Sequence, residues 1–366
     1  MSAGVRDAVA VRAAFAQARQ RGLRAREAAH AIGLSEGAVM AAHVGLHEHA
    51  LRAVPLKSDW LALLQSLQAC GPLMALTRNE GTVHEKTGVY TNVSAQGRVG
   101  LALGEDIDLR LFFNRWHAGF VVSEAHEGAH GPMQASLQFY DRSGTAVHKI
   151  FPRSRTEPMA WERLLNTWIE PAREAVFGCS SPALQDDPDP VVSVDVASFL
   201  REWSAMTDTH QFFGLLGRHG LQRQQAFALA QGRFTHPVAR SAVRQLLQGA
   251  AIDGTPIMVF VGSPGCIQIH TGPVQRVEPL EMRGRLWLNV LDPGFNLHLR
   301  EDLIASVWVV EKPGDHGNVT SLEAFDARGE LMAMFFGARK PGQPERQGWR
   351  DLLAPLREAG QQAVVA

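Results

Sequence analysis

One order of motifs runs twice along this chain. Arg21-Gly22-Leu23-Arg24 in the first half corresponds to His219-Gly220-Leu221-Gln222 in the second, and Gly71-Pro72-Leu73-Met74 to Thr255-Pro256-Ile257-Met258. Thr87-Gly88 falls on Thr271-Gly272, and Asp108-Leu109-Arg110-Leu111 on Asn296-Leu297-His298-Leu299. Phe120-Val121-Val122 falls on Trp308-Val309-Val310, Ser136-Leu137-Gln138-Phe139-Tyr140-Asp141 on Ser321-Leu322-Glu323-Ala324-Phe325-Asp326, and Trp161 on Trp349. Spacing drifts only by small loop insertions. A repeat of this length means that each copy builds the same supersecondary programme. In both copies helical spacing comes first and short alternating segments follow. The fold class is therefore α+β, a tandem duplication of a helices-then-antiparallel-sheet unit.

The chain has 366 residues, enough for two domains of ordinary size. The expected boundaries are 1–179 for the first repeat and 194–366 for the second. Between them, 180–193 reads as an acidic, proline-rich linker with Asp186, Asp187 and Asp189. A net charge of -1 gives no electrostatic footprint for nucleic acid. No apolar run approaches the roughly 20 residues that a membrane-spanning helix needs, and the first residues have no apolar core of a secretory leader. Cys70, Cys179 and Cys266 are scattered, with neither zinc spacing nor a disulfide framework. The expected compartment is the reducing cytoplasm.

In the first copy, residues 8–50 read as two or three helices broken at Gly22 and Gly33, and 57–69 as another. Arg26 to Glu36 has the small residue and turn glycine of a helix-turn-helix, but Ser35 to Met40 has no basic face for a DNA groove. From Pro72 the short segments, among them Val89 to Val93, Val99 to Leu103 and Gln134 to Asp141, read as an antiparallel meander. Trp161 to Phe177 reads as a closing helix.

The copies differ where chemistry is carried. Met206-Thr207-Asp208-Thr209-His210-Gln211-Phe212-Phe213-Gly214-Leu215-Leu216-Gly217-Arg218 reads as a helix start, with Asp208 as N-cap and Gln211 at capping-box spacing. His210 then shares a face with Phe213, Gly214 and Gly217, at i+3, i+4 and i+7. Each helical glycine costs about 1 kcal/mol against alanine. Two on one face suggest that something lies close to it, either a flat ligand held by the imidazole or a neighbouring helix beside a core histidine. The first copy has Arg12 in place of His210.

With the repeat in view, the chain resembles the haemin-degrading factor family, the HemS/ChuX-like cytoplasmic haem-binding proteins of Gram-negative haem-uptake systems. The motifs that carry the resemblance are Thr77-Arg78-Asn79-Glu80, Val83-His84-Glu85-Lys86-Thr87-Gly88 and Asp208-Thr209-His210-Gln211-Phe212. Thr320-Ser321-Leu322-Glu323-Ala324-Phe325-Asp326, Phe335-Phe336-Gly337-Ala338-Arg339 and Gly342-Gln343-Pro344-Glu345 complete them. The resemblance implies haem as cofactor, with His210 as axial iron ligand. Lys312, Arg339 and Arg110, the last from the first half, are the implied basic partners of the propionates or of the distal face. Phe213, Gly214 and Phe336 belong to the same implied haem-binding set. Phe212, Phe335 and Met334 offer apolar cover or plain core. His84 reads either as a strand residue in a hydrogen-bond network or as a secondary haem ligand. Some relatives have a polar pair where this chain has Ala333-Met334, which argues against a distal hydrogen bond from that strand.

The family resemblance implies a carrier between a haem-uptake ABC transporter and a haem oxygenase. It also admits a haem-degrading enzyme that opens the porphyrin with oxygen and an external reductant. A helix-turn-helix haem-responsive regulator is the remote third reading. No nucleic-acid partner and no membrane insertion are expected, and the assembly is either monomer or dimer.

Overall fold

The computed structural model describes residues 7–97, 99–124, 135–177, 194–339 and 342–365, with side chains of the last helix described as far as Gly360. The linker expected over 180–193 lies outside the described residues, as do Cys179 and Gln134.

The elements repeat as the duplication requires. The first half begins with helices α1 (Ala8–Gln20), α2 (Ala25–Ala31) and α3 (Glu36–Ala42), strand β1 (Leu51–Pro55) and helix α4 (Trp60–Ser66). Strands β2 (Leu73–Arg78), β3 (Thr82–Gly88), β4 (Val93–Gln96), β5 (Val99–Leu103), β6 (Asp108–Phe112), β7 (Ala118–Glu124), β8 (Ser136–Tyr140) and β9 (Ala146–Pro152) follow, and helix α5 (Pro158–Trp168) closes the half. The second half has helices α6 (Val196–Ser204), α7 (Gln211–Arg218) and α8 (Arg223–Leu229), strand β10 (Thr235–Val238) and helix α9 (Ala242–Asp253). Its strands are β11 (Ile257–Ser263), β12 (Cys266–Gly272), β13 (Val277–Met282), β14 (Arg285–Asp292), β15 (Phe295–Arg300), β16 (Ser306–Lys312), β17 (Val319–Phe325) and β18 (Leu331–Gly337), before the final helix α10 (Gln347–Val365). Two compact units form, and their division follows the duplication except at 79–84 and 262–268.

The strands are not a simple meander. In the first half β1, β7, β8, β9, β2 and β3 are neighbours in that order, and β4, β5 and β6 form a second group. The second half repeats this with β10, β16, β17, β18, β11 and β12, and with β13, β14 and β15. The departure is clearest at β2, which pairs antiparallel with β9 from Leu73↔Pro152 to Leu76↔Lys149. β2 buries residues on both faces, and a strand buried on both faces is an interior strand that needs a neighbour along each edge. Strand β4 is mostly exposed and belongs at an edge.

Other boundaries shift for local reasons. The strand expected at Val89 begins at Val93, because Asn92 takes a left-handed φ of 50°. The helix expected to run to Phe177 stops at Trp168, where Ile169 turns extended and Pro171 forbids continuation. The helix expected over 57–69 is α4 followed by one tight turn, Leu67–Cys70. Helix α3 buries Glu36, Gly37, Val39 and Met40, and Glu36 accepts from Lys149 Nζ at 2.7 Å. No residue of this helix is exposed, so it presents no open face of the kind a recognition helix uses.

In the second unit, β-strand alternation sorts residues into two cores. Val307 and Val309 of β16 join the core that holds α9, Trp349 and Leu353. Val310 of the same strand joins the core formed by α6, α7 and α8, with Phe199, Trp203, Phe212 and Phe227, and Trp308 packs against it. Lys312 has the parity of Val310, so its side chain belongs on the α7 face.

Candidate functional site

The start of α7 is built by one carboxylate. Asp208 Oδ1 accepts from the His210 backbone N–H at 2.7 Å and lies 2.6 Å from His210 Nδ1. Gln211 Oε1 reaches back to the backbone N–H groups of Thr207 at 3.0 Å and Asp208 at 3.4 Å. The Thr207 carbonyl accepts from Asp315 N at 2.9 Å, which ties this turn to the segment after β16. The capping arrangement therefore differs from the one expected. Asp208 closes an Asx turn on His210, and His210 itself is the N-cap residue of a helix that begins at Gln211. The backward reach of Gln211 survives.

This local geometry bears on the core-histidine reading of His210. Its side chain is 92% exposed, so it is not a core histidine. The helix turns Phe212, Leu215 and Leu216 into the core, while Phe213, 83% exposed, lies on the open side with Gly214 and Gly217. A Cβ on Gly217 would meet nothing within 4 Å, and one on Gly214 would touch only Arg218 Nη1, at 3.4 Å. No neighbouring helix among the described residues fills the space that the glycines leave. The His210 backbone N–H and imidazole lower the Asp208 pKa from its ordinary value, so the carboxylate is ionised and can only accept. Nδ1 of His210 must then carry the hydrogen, and the lone pair resides on Nε2, which has no partner among the described residues.

Cations gather around this helix. The Arg339 charge also helps to keep Asp208 ionised, and the buried Arg339 Nε has no hydrogen-bond partner among the described residues. An unpartnered buried guanidinium nitrogen is costly unless an acceptor arrives. Lys312 Nζ lies 2.9 Å from Glu323 Oε1 and 3.4 Å from Ser321 Oγ. Arg223 donates to the same carboxylate at 2.6 and 2.9 Å. Both cations lie against the Phe212 ring, Lys312 Nζ at 5.0 Å and Arg223 Cζ at 5.4 Å from its centroid. Burial pulls the Lys312 amine down to about 8, despite the attraction of Glu323. Burial would raise the Glu323 pKa, but Arg223 and Lys312 together hold it well below the usual carboxylate range. Two cations on one carboxylate leave a net positive charge under the helix that carries His210.

The other expected residues fall in distinct places. Phe336 is half-buried and meets Phe260 edge-to-face at 5.0 Å. Met334 touches Arg223, while Phe212 and Phe335 are core. Arg110 is in the first unit on β6, ion-paired with Asp108. His84 is fully buried, with its ring 5.0 Å from that of Phe295, a core position without an open face for a macrocycle. Sequence reasoning missed Arg223 and the role of Asp208. Asp208 was visible but matched a capping box. Arg223 and Glu323 lie far apart in sequence, and no periodicity links them.

A haem fits these residues: one open imidazole nitrogen, a flat small-residue face beside an exposed phenyl ring, and an unpartnered buried guanidinium nitrogen for a carboxylate. The model of the haemin-degrading HemS/ChuX domain matches residues 33–168 and 220–356, one stretch in each half. The hemin transport protein HmuS of Yersinia pestis is 41% identical over 349 residues, covering 93% of this chain and 95% of that protein. The crystal structure of holo-PhuS, a heme-binding protein from Pseudomonas aeruginosa, superposes with a TM-score of 0.85 at 44% identity, covering 94% of this chain and 97% of that one. The heme degrading enzyme ChuS of Escherichia coli O157:H7 is 36% identical with a TM-score of 0.82, covering 95% of this chain and 99% of that one. The duplicated α+β chain described here belongs to the haemin-degrading HemS/ChuX family.

Proposed function

We propose that this chain binds haem through His210 and serves haem-iron acquisition as a cytoplasmic carrier, taking haem from an uptake ABC transporter and delivering it to a haem oxygenase. The observation that carries this reading is the exposed His210 imidazole, oriented by Asp208 so that Nε2 is the open nitrogen. The hemin-transport description of HmuS and the heme-binding description of PhuS support the same ligand. No helix among the described residues is long and apolar enough to cross a membrane.

Each part of the site has a task in this reading. His210 supplies the single protein ligand to iron. Phe213, Gly214, Gly217 and Phe336 cover or admit the macrocycle without a polar clash. Arg339 donates to one propionate from its Nε, which has no hydrogen-bond partner among the described residues. The surplus charge of the Arg223–Glu323–Lys312 group attracts a second carboxylate. A ligand held by one imidazole on an exposed helix start is placed to leave again, which suits delivery.

The second reading is a haem-degrading enzyme, favoured by the similarity to ChuS. Bound haem would supply the oxygen chemistry, with electrons from an external reductant. In that reading His210 holds the iron and the cations orient the ring. The test is to load the protein with haem, add reductant and then air, and include catalase. Survival of the haem spectrum and its transfer to a haem oxygenase are the carrier outcome. Loss of the spectrum despite catalase is the enzyme outcome and would overturn the carrier reading.

A further inference from the structure

The Asp208–His210 pair does more than start a helix. Its side-chain contact is 2.6 Å long and its backbone contact 2.7 Å, and both end on the same oxygen, Oδ1. The acceptor is thus fixed relative to the main chain of the residue whose ring it holds. Neither side chain is buried, with Asp208 57% and His210 92% exposed. Among the described residues, the Asp208 carboxylate makes its hydrogen bonds to His210 alone. An asparagine would cap the same turn, because its amide oxygen accepts as well. What only aspartate brings is charge.

We propose that Asp208 is the positioning and tuning residue of the iron ligand. It holds His210 in the Nδ1–H tautomer with Nε2 outward, and it lends negative charge to the imidazole. A histidine ligand whose other nitrogen donates to a carboxylate has its ring orientation set and its basicity raised. A more basic imidazole binds ferric iron more strongly than ferrous iron, so the pair lowers the reduction potential of a bound haem. Covering the ring with a macrocycle removes water from the pair and strengthens the effect. The proposal rests on His210 being the iron ligand.

The test uses Asp208→Asn, which keeps an acceptor and removes the charge, and Asp208→Ala, which removes both. In the protein without haem, nitrogen-15 shifts of His210 report the tautomer. The expected result is Nδ1–H in wild type and Asp208→Asn, and a loss of that preference in Asp208→Ala. With haem bound, the ferrous iron–imidazole stretch should move to lower frequency and the reduction potential should rise in Asp208→Asn. Haem affinity should fall further in Asp208→Ala than in Asp208→Asn. An unchanged stretch and potential in both variants, with haem still requiring His210, would overturn the role of Asp208 and leave the haem reading intact. Haem binding that is indifferent to His210→Ala would overturn both.

Discussion

Arg223 and Glu323 meet through two hydrogen bonds, Nε to Oε2 at 2.6 Å and Nη2 to Oε1 at 2.9 Å, although they belong to a helix and a strand 100 residues apart. Glu323 is 0% exposed, and it also accepts from the buried Lys312 amine and from the Ser321 hydroxyl. Removing one member of a buried ionic group strands the remaining charges and costs about 3–5 kcal/mol. Glu323→Gln should therefore lower the stability of the protein without haem by that order, measured by urea denaturation. A loss below about 1 kcal/mol would mean that water reaches the group through Arg223.

Arg339 offers a guanidinium nitrogen that is buried and without a hydrogen-bond partner among the described residues. If a propionate completes it, Arg339→Ala should weaken haem binding by about 1–3 kcal/mol, the range of a charge-assisted contact. The same substitution should make little difference to haem dimethyl ester, which has no carboxylates. An equal loss for both ligands would mean that Arg339 acts through packing or through Asp208.

The open face of α7 gives opposite expectations for stability and binding. A Cβ at Gly217 meets nothing within 4 Å, so Gly217→Ala should raise the thermal stability of the haem-free protein by up to about 1 kcal/mol. If the macrocycle lies on this face, Gly217→Leu should keep the fold and lower haem affinity, because its side chain would stand in the way. Full affinity in Gly217→Leu would move the haem to another face.

Acid stability should be governed by two buried imidazoles of the first unit. Burial pushes His148 down to about 3 and His43 down to about 4, from an ordinary 6.5. Between those values the unfolded chain binds protons that the folded chain refuses. The stability they confer is complete above pH 6.5 and is lost as pH falls toward 3, by up to about 1.4 kcal/mol per pH unit for each group. His148 accepts from or donates to Tyr90 at 2.8 Å and Thr77 at 2.9 Å, a buried neutral network. His148→Gln should flatten the dependence of unfolding free energy on pH below 6.5, whatever it does to the absolute value. An unchanged slope would mean that other groups dominate.

The duplication was legible because motif order survives even where side chains change, as with Phe120-Val121-Val122 and Trp308-Val309-Val310. The face formed by His210, Phe213, Gly214 and Gly217 was legible because helical spacing is a local property. Asp208 was visible but misread. An acidic residue three before a glutamine fits both a capping box and an Asx turn, and only geometry tells them apart. The place of β2 beside β9 was not legible, since turn-by-turn reading joins strands in order of sequence. Arg223 and Glu323 were hidden for a related reason. A buried ion pair between distant segments leaves no period in the sequence, and each charge alone reads as solvated surface.

The central claim rests on one imidazole, and the most direct measurement is a haem titration followed by absorption spectroscopy on wild type and His210→Ala. The His210 side chain is 92% exposed, so its removal should leave the circular dichroism spectrum unchanged. Wild type should bind haem saturably at one equivalent, and His210→Ala should bind at least about tenfold more weakly, a loss of roughly 1.4 kcal/mol or more. Equal affinity in the two proteins, with the fold intact, would contradict the assignment of His210 as the iron ligand.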